Sequence, residues 1–131
     1  MNLLLDTHVA LWAIADAPRL PTAIRGLIAD PDNLITISAV SIWEIAIKSS
    51  LARRGVGAMP VSAGTALAHF RSAGYATLGV SPHHAAAVEA LPALHGDPFD
   101  RLLIAQAFAE PLRLVTHDRT VAAYGDSIIL F

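Results

Sequence analysis

The 131-residue chain has no cysteine. That excludes disulfide staples, thiolate metal sites and cysteine nucleophiles, and nothing else in the chain asks for an oxidising compartment. Charge is scarce as well, with 15% charged residues and a formal net charge of -2. A domain that held nucleic acid mainly through counterion release would be basic, so any such partner must be gripped locally or through a metal. No apolar run approaches the length of a bilayer span, because His8, Asp16, Arg25 and their successors interrupt each one. The opening residues, Met1 to Asp6, have neither a basic stretch nor an apolar run of leader length. The expectation is a cytoplasmic protein with no membrane association. Linkers, charge runs, repeats and low-complexity segments are also missing, which predicts a single domain over residues 1–131.

What the chain has in excess is apolar surface. Its hydrophobic fraction of 54% argues against disorder and predicts that some apolar surface is covered by a partner, in a homodimer or by a tightly bound second protein.

Short apolar runs at Asn2–Leu5, Leu34–Ser38, Ala76–Val80, Arg113–Thr116 and Ile128–Leu130 read as strands, the third being the weakest. Between them, 7–15, 22–30, 41–48, 62–72, 82–91, 98 to near 111 and 120–124 carry helical spacing. Strands alternating with helices predict an α/β fold with a mostly parallel sheet, right-handed crossovers and helices on both faces. In the third helix, Ile42, Ile45 and Ala46 form the inward face, and Ser41 with Glu44 has the spacing of a capping box. Lys48 stands four residues beyond Glu44 and can pair with it.

The most informative stretch is His95-Gly96-Asp97-Pro98-Phe99-Asp100-Arg101-Leu102-Leu103-Ile104-Ala105. Pro98 suits the first helical position, which puts Asp97 at the N-cap and Asp100 in the first turn. Alone, this is ordinary helix-start chemistry. Its weight comes from convergence, because ligands of an open parallel sheet bind beyond the carboxyl ends of the strands. Asp6 closes the first strand and Asp118 follows the fourth, while Glu44 and Asp100 belong to helices that start on the same edge. Two carboxylates about 5 Å apart repel by roughly 3 kcal/mol at an effective dielectric of about 20. Four together would raise one another's pKa values and destabilise the fold, and a divalent cation is the natural remedy. An all-oxygen site suits Mg²⁺ or Mn²⁺. Such a site attracts the phosphate that the acids alone would repel, and phosphodiester hydrolysis is the reaction class inferred.

Four blocks now stand in register: Leu4-Leu5-Asp6-Thr7-His8, Ser41-Ile42-Trp43-Glu44-Ile45, Asp97-Pro98-Phe99-Asp100-Arg101-Leu102-Leu103-Ile104-Ala105 and Val115-Thr116-His117-Asp118. In order, spacing and total length they resemble PIN-domain ribonucleases, specifically VapC-type toxins of bacterial toxin-antitoxin modules. The resemblance implies a three-layer α/β/α sandwich, a homodimer, Mg²⁺- or Mn²⁺-dependent cleavage of RNA and neutralisation by a VapB-type antitoxin. Asp6, Glu44, Asp100 and Asp118 match the family's acidic quartet, both as metal ligands and as catalytic residues. Asp97 matches a further acid, read as a helix cap or an outer support, and Thr116 matches a small hydroxyl position beside the metal. Thr7 and Arg101 adjoin these acids and are read as supports for site or substrate.

Other residues have an ordinary reading beside the functional one. His8 and His117 flank the expected site and either assist proton transfer, touch RNA, or hydrogen-bond locally. Lys48, Arg101 and Arg119 lie within a turn of the acids and hold phosphates or form ion pairs. Trp12 and Trp43 occupy apolar stretches, where an aromatic is usually core; the alternatives are base stacking or the lining of a groove for an antitoxin helix. His69, His83, His84 and His95 show no metal-ligand spacing and receive no role. Two rival functions remain: a catalytically silent PIN-like module binding RNA or protein, and a phosphatase using Asp6 as nucleophile, which Asp6-Thr7-His8 supports poorly for want of a second acid.

Overall fold

The computed structural model describes residues 1–131. Five strands form one all-parallel sheet: β1 (Asn2–Leu5), β2 (Leu34–Ser38), β3 (Ala76–Leu78), β4 (Arg113–Thr116) and β5 (Ile129–Leu130), in the order β3-β2-β1-β4-β5. The central strand β1 pairs Leu3 with Ile35 of β2 on one side and Leu4 with Leu114 of β4 on the other. Leu3, Leu4 and Leu5 are wholly buried, as a strand covered on both faces requires.

The helices are α1 (Thr7–Ala15), α2 (Thr22–Ala29), α3 (Ala39–Arg53), α4 (Ala63–Ser72), α5 (Pro82–Ala87), α6 (Pro98–Ala109) and α7 (Arg119–Ala122). Alternation along β1 divides the core in two. Leu3 and Leu5 join Val9, Leu11, Ile24, Ile45, Phe70 and Val115. Leu4 joins Val40, Leu103, Ile104, Leu114 and Val121 on the opposite face. These are the three layers of an α/β/α sandwich, and replacing Leu4 by Ala would cost about 2–5 kcal/mol. No helix is long and apolar enough to cross a membrane.

Three expectations need correction. First, α3 begins at Ala39 rather than at residue 41, because β2 runs without a loop into its own cap, the Ser38 hydroxyl accepting from Val40 N–H. Ser41 and Glu44 therefore make no capping box; both are buried inside the helix. Second, that registration turns Trp43 and Ala46 outward, Trp43 being 55% exposed and packing edge-on against Phe99. Third, the helix expected over 82–91 stops at Ala87 and tightens into a 3-10 turn, Val88–Ala90.

Candidate active site

The strand order decides where a ligand can enter. From β1 the chain moves to β2 on one side, whereas β4 leads to β5 on the other, so the connections diverge between β1 and β4. A crevice opens outside the carboxyl ends of strands at such a point. Asp6 follows β1 there and Asp118 follows β4 by one residue. Each also caps the next helix, Asp6 Oδ1 accepting from Val9 N–H at 2.9 Å and Asp118 Oδ1 from Thr120 N–H at 2.8 Å. Capping occupies one oxygen of each carboxylate.

The remaining acids arrive from helices. Asp97 caps α6, its Oδ1 accepting from Phe99 N–H at 2.8 Å and Asp100 N–H at 3.2 Å, and so presents Asp100 in the first turn. Glu44 comes from the second turn of α3 and is 3% exposed. It accepts from the Thr7 hydroxyl at 2.6 Å, which lies 2.9 Å from Ser41 Oγ, and its other oxygen pairs with Lys48 Nζ. Thr116 ties Asp6 to the Asp118 loop: its hydroxyl donates to Asp6 Oδ2 at 2.6 Å and accepts from Asp118 N–H at 3.0 Å.

Electrostatics report the crowding. Burial pushes the Asp6 carboxyl above the usual carboxylate range, against the pull of the Thr116 hydroxyl, the Val9 N–H and His8, and the Glu44 charge adds to the rise. Asp100 is raised to about 6, chiefly by burial and further by the charges of Asp97, Asp6 and Glu44, while its bond to His95 opposes the rise. Acids from three separate segments, Asp6, Glu44 and the Asp97–Asp100 pair, therefore feel one another.

Two placements differ from the sequence reading. His95 carries a contact that spacing could not reveal: its Nε2 is 2.8 Å from Asp100 Oδ2 and 3.6 Å from Asp118 Oδ2. Its position two residues before a capping acid was the available signal. Arg101 spends its guanidinium on the carbonyls of Val88, Leu91, Pro92 and His95 and on the Tyr124 hydroxyl. It is a brace for the loop that carries His95. Of the other histidines, His84 is buried, accepting from Ser81 N–H and pairing with Glu110.

Beside the acids lies an open cleft of about 460 Å³ lined by Asp6, His8, Trp12, Arg19, His117, Asp118 and Arg119. The guanidinium of Arg19 stacks over Trp12, 4.8 Å from the ring centroid.

The sequence pattern of the PIN domain matches residues 3–126. The chain belongs to the PIN domain family. A relative, Ribonuclease VapC22 of Mycobacterium tuberculosis, is 37% identical over 94% of this chain and 92% of its own length. Among solved structures, the VapBC2 complex of Rickettsia felis bound to a promoter DNA fragment contains a chain with a TM-score of 0.70, at 20% identity, over 100% of this chain and 98% of that one. DNA-bound VapBC from Salmonella typhimurium gives a TM-score of 0.67 at 18% identity, over 100% and 97%. At such identity these two establish the fold alone. In this PIN domain the donor set at the crevice is carboxylate oxygen with one imidazole and no sulfur, a set suited to a hard divalent cation. Burial is the main cause of the Asp100 rise, and the further part due to the charges of Asp97, Asp6 and Glu44 is what a cation would relieve.

Proposed function

We propose that the protein is a metal-dependent endoribonuclease toxin of a toxin-antitoxin module. The observation that carries the reading is the convergence of Asp6 and Asp100, both lifted by burial and by the nearby Glu44 charge, at the strand-order divergence of a PIN domain, with Asp118 on the same edge. Asp6, Glu44, Asp100 and Asp118 would hold Mg²⁺ or Mn²⁺, which when bound neutralises a phosphate and acidifies water. The protein's own contribution is orientation. Thr116 fixes the Asp6 rotamer and Thr7 that of Glu44, while Asp97 sets the α6 start that presents Asp100. The acids position water for in-line attack and form no covalent bond to the substrate.

The 460 Å³ cleft supplies a place for the RNA strand. Arg19 and Arg119 offset its phosphates, and Trp12 with His8 and His117 offers ring faces to bases. A groove lined by Ile42, Trp43, Leu67, Leu78 and Arg71 suits a segment of a VapB-type antitoxin, and the remaining exposed apolar surface suits a homodimer. The reading places the protein in the cytoplasm, where its RNA substrate resides.

The test is cleavage of a structured RNA pool by antitoxin-free protein in Mg²⁺ or Mn²⁺ against EDTA, with Asp6→Asn alongside. Discrete products that require both cation and Asp6 are expected. Equal inertness of both proteins across several RNAs, with Mn²⁺ still raising the melting temperature, would instead support a silent binding module.

A further inference from the structure

We infer that His95 is a nitrogen ligand of the cation centre, so that the site is a mixed imidazole–carboxylate one. The inference rests on the metal site proposed above and extends its ligand set beyond the four acids. Its ground is the geometry of His95 Nε2, 2.8 Å from Asp100 Oδ2 and 3.6 Å from Asp118 Oδ2, with one donor atom from each of the three residues lying within 4.8 Å of the others. An octahedral ion with bonds of about 2.1 Å spaces adjacent donors by about 3.0 Å and opposite donors by about 4.2 Å. The two His95 distances fall in or near that range and the third pair lies within 4.8 Å, so small side-chain shifts would bring the three atoms into one coordination shell.

The imidazole is also held there from behind. The backbone N–H of His95 donates to the Tyr124 hydroxyl at 2.8 Å, and the same hydroxyl receives Arg101 Nη1 at 3.0 Å. Arg101 then reaches the carbonyls of Pro92 at 2.9 Å and Val88 at 3.1 Å. Both ends of the His95 loop are tied to α6, the helix that carries Asp100. The imidazole and that carboxylate therefore move as one unit, which is how outer partners preorganise a metal ligand.

The chemistry has a consequence for metal choice. Imidazole raises affinity for Mn²⁺ and later divalent ions more than for Mg²⁺, which prefers oxygen. A histidine that only hydrogen-bonded to Asp100 would support every ion alike.

The deciding experiment is pulsed electron paramagnetic resonance of Mn²⁺ bound to untagged, full-length protein, prepared with natural-abundance or ¹⁵N-labelled histidine. A directly coordinated nitrogen modulates the Mn²⁺ echo, and its frequencies shift with the isotope. We expect that modulation in the wild type, its loss in His95→Gln, and a Mn²⁺ Kd raised about 10-fold or more by that substitution against about 3-fold or less for Mg²⁺. Wild-type Mn²⁺ without nitrogen modulation would overturn the inference, as would modulation that survives in His95→Gln or equal losses for both ions. The wild-type spectrum decides even where the variant folds poorly. RNA cleavage that needs cation and Asp6 but shows no nitrogen coupling would refute the ligand and leave the nuclease standing; coupling without cleavage of any RNA would do the reverse.

Discussion

Asp6 and Glu44 are 8% and 3% exposed, whereas the side chains of Asp100 and Asp118 are 23% and 43% exposed. The inner pair is held by hydrogen bonds and an ion pair: Thr116 and Val9 on Asp6, Thr7 and Lys48 on Glu44. The outer pair shares His95, Asp118 also capping the Thr120 N–H, and both side chains are more exposed. One half of the proposed site is thus built into the core, while the other sits at the rim, where a cation and a phosphate would arrive under the proposed function. The difference teaches a division of labour. Rigid carboxylates fix the position of the charge, and the exposed ones adapt to its binding and release.

The harshest test of that division removes a charge from the inner half. Asp6→Asn should lower RNA cleavage by more than about 100-fold, beyond the roughly 10–100-fold typical of supporting residues. Asn remains a good N-cap for α1, and the substitution removes a carboxylate whose burial is unfavourable, so thermal melting without metal should hold or rise. Full cleavage by this variant would dissolve the quartet.

Asp100→Asn should abolish cleavage to a similar degree, yet differ in its pH signature. The Asp100 carboxyl titrates at about 6 in the fold against 3.8 for its ordinary value. The folded state therefore holds a proton that the unfolded state has already lost, and metal-free stability falls as pH rises from about 4 to about 6. The loss is at most roughly 3 kcal/mol at 1.36 kcal/mol per pH unit. Urea titrations across that window should show the decline in wild type and a smaller one in Asp100→Asn, where the raised Asp6 carboxyl still contributes. Mn²⁺ binding to wild type should strengthen over the same interval, because the ion displaces the proton. A pH-independent wild type would mean that the rim carboxylate is more fully solvated than its neighbours imply.

These two acids were readable in advance for different reasons. Leu3-Leu4-Leu5 and Leu114-Val115 are continuous apolar runs, as buried parallel strands require, and the acids that close them had to lie on one sheet edge. The Asp97-Pro98 pair likewise announced a helix start. Glu44 was harder, since Ser41 offered a local explanation; only the absence of a loop after β2, with Ser38 serving as both strand end and cap, moves the helix start and buries the pair. His95 carries only a faint local signal, its place two residues before the capping acid, because what holds it are Tyr124 and Arg101, partners 29 and 6 residues away that no local pattern connects to it. The core reading of Trp43 fails for a related reason, while its groove-lining alternative stands: a helical stripe predicts spacing, but its phase follows from where the helix begins.

Thr116 sharpens the comparison because it is the one side chain bonded to both halves. Thr116→Val keeps the shape but removes the hydroxyl that Asp6 and the Asp118 N–H share. The expected cost is about 1–3 kcal/mol for a newly unpaired buried group, together with about a 10–100-fold loss of cleavage. If the halves acted independently, a double-mutant cycle of Thr116→Val with Asp118→Asn would be additive; coupling above about 0.5 kcal/mol of activation free energy is expected.

The gentlest change is Asp97→Asn. Asparagine caps a helix as well as aspartate does, so α6 and the placement of Asp100 should persist, with stability shifting by only a few tenths of about 1 kcal/mol. What disappears is a negative charge that helps to lift the Asp100 carboxyl. Asp100 should then titrate lower, and the pH at which Mn²⁺ binding strengthens should move down with it. If Asp97 acts through Asp100, cleavage at pH 8, where Asp100 is ionised in both proteins, should fall by less than about 10-fold. A loss as deep as that of Asp100→Asn, with unchanged melting, would instead put Asp97 in contact with the ion and give the rim half one carboxylate more than the core half.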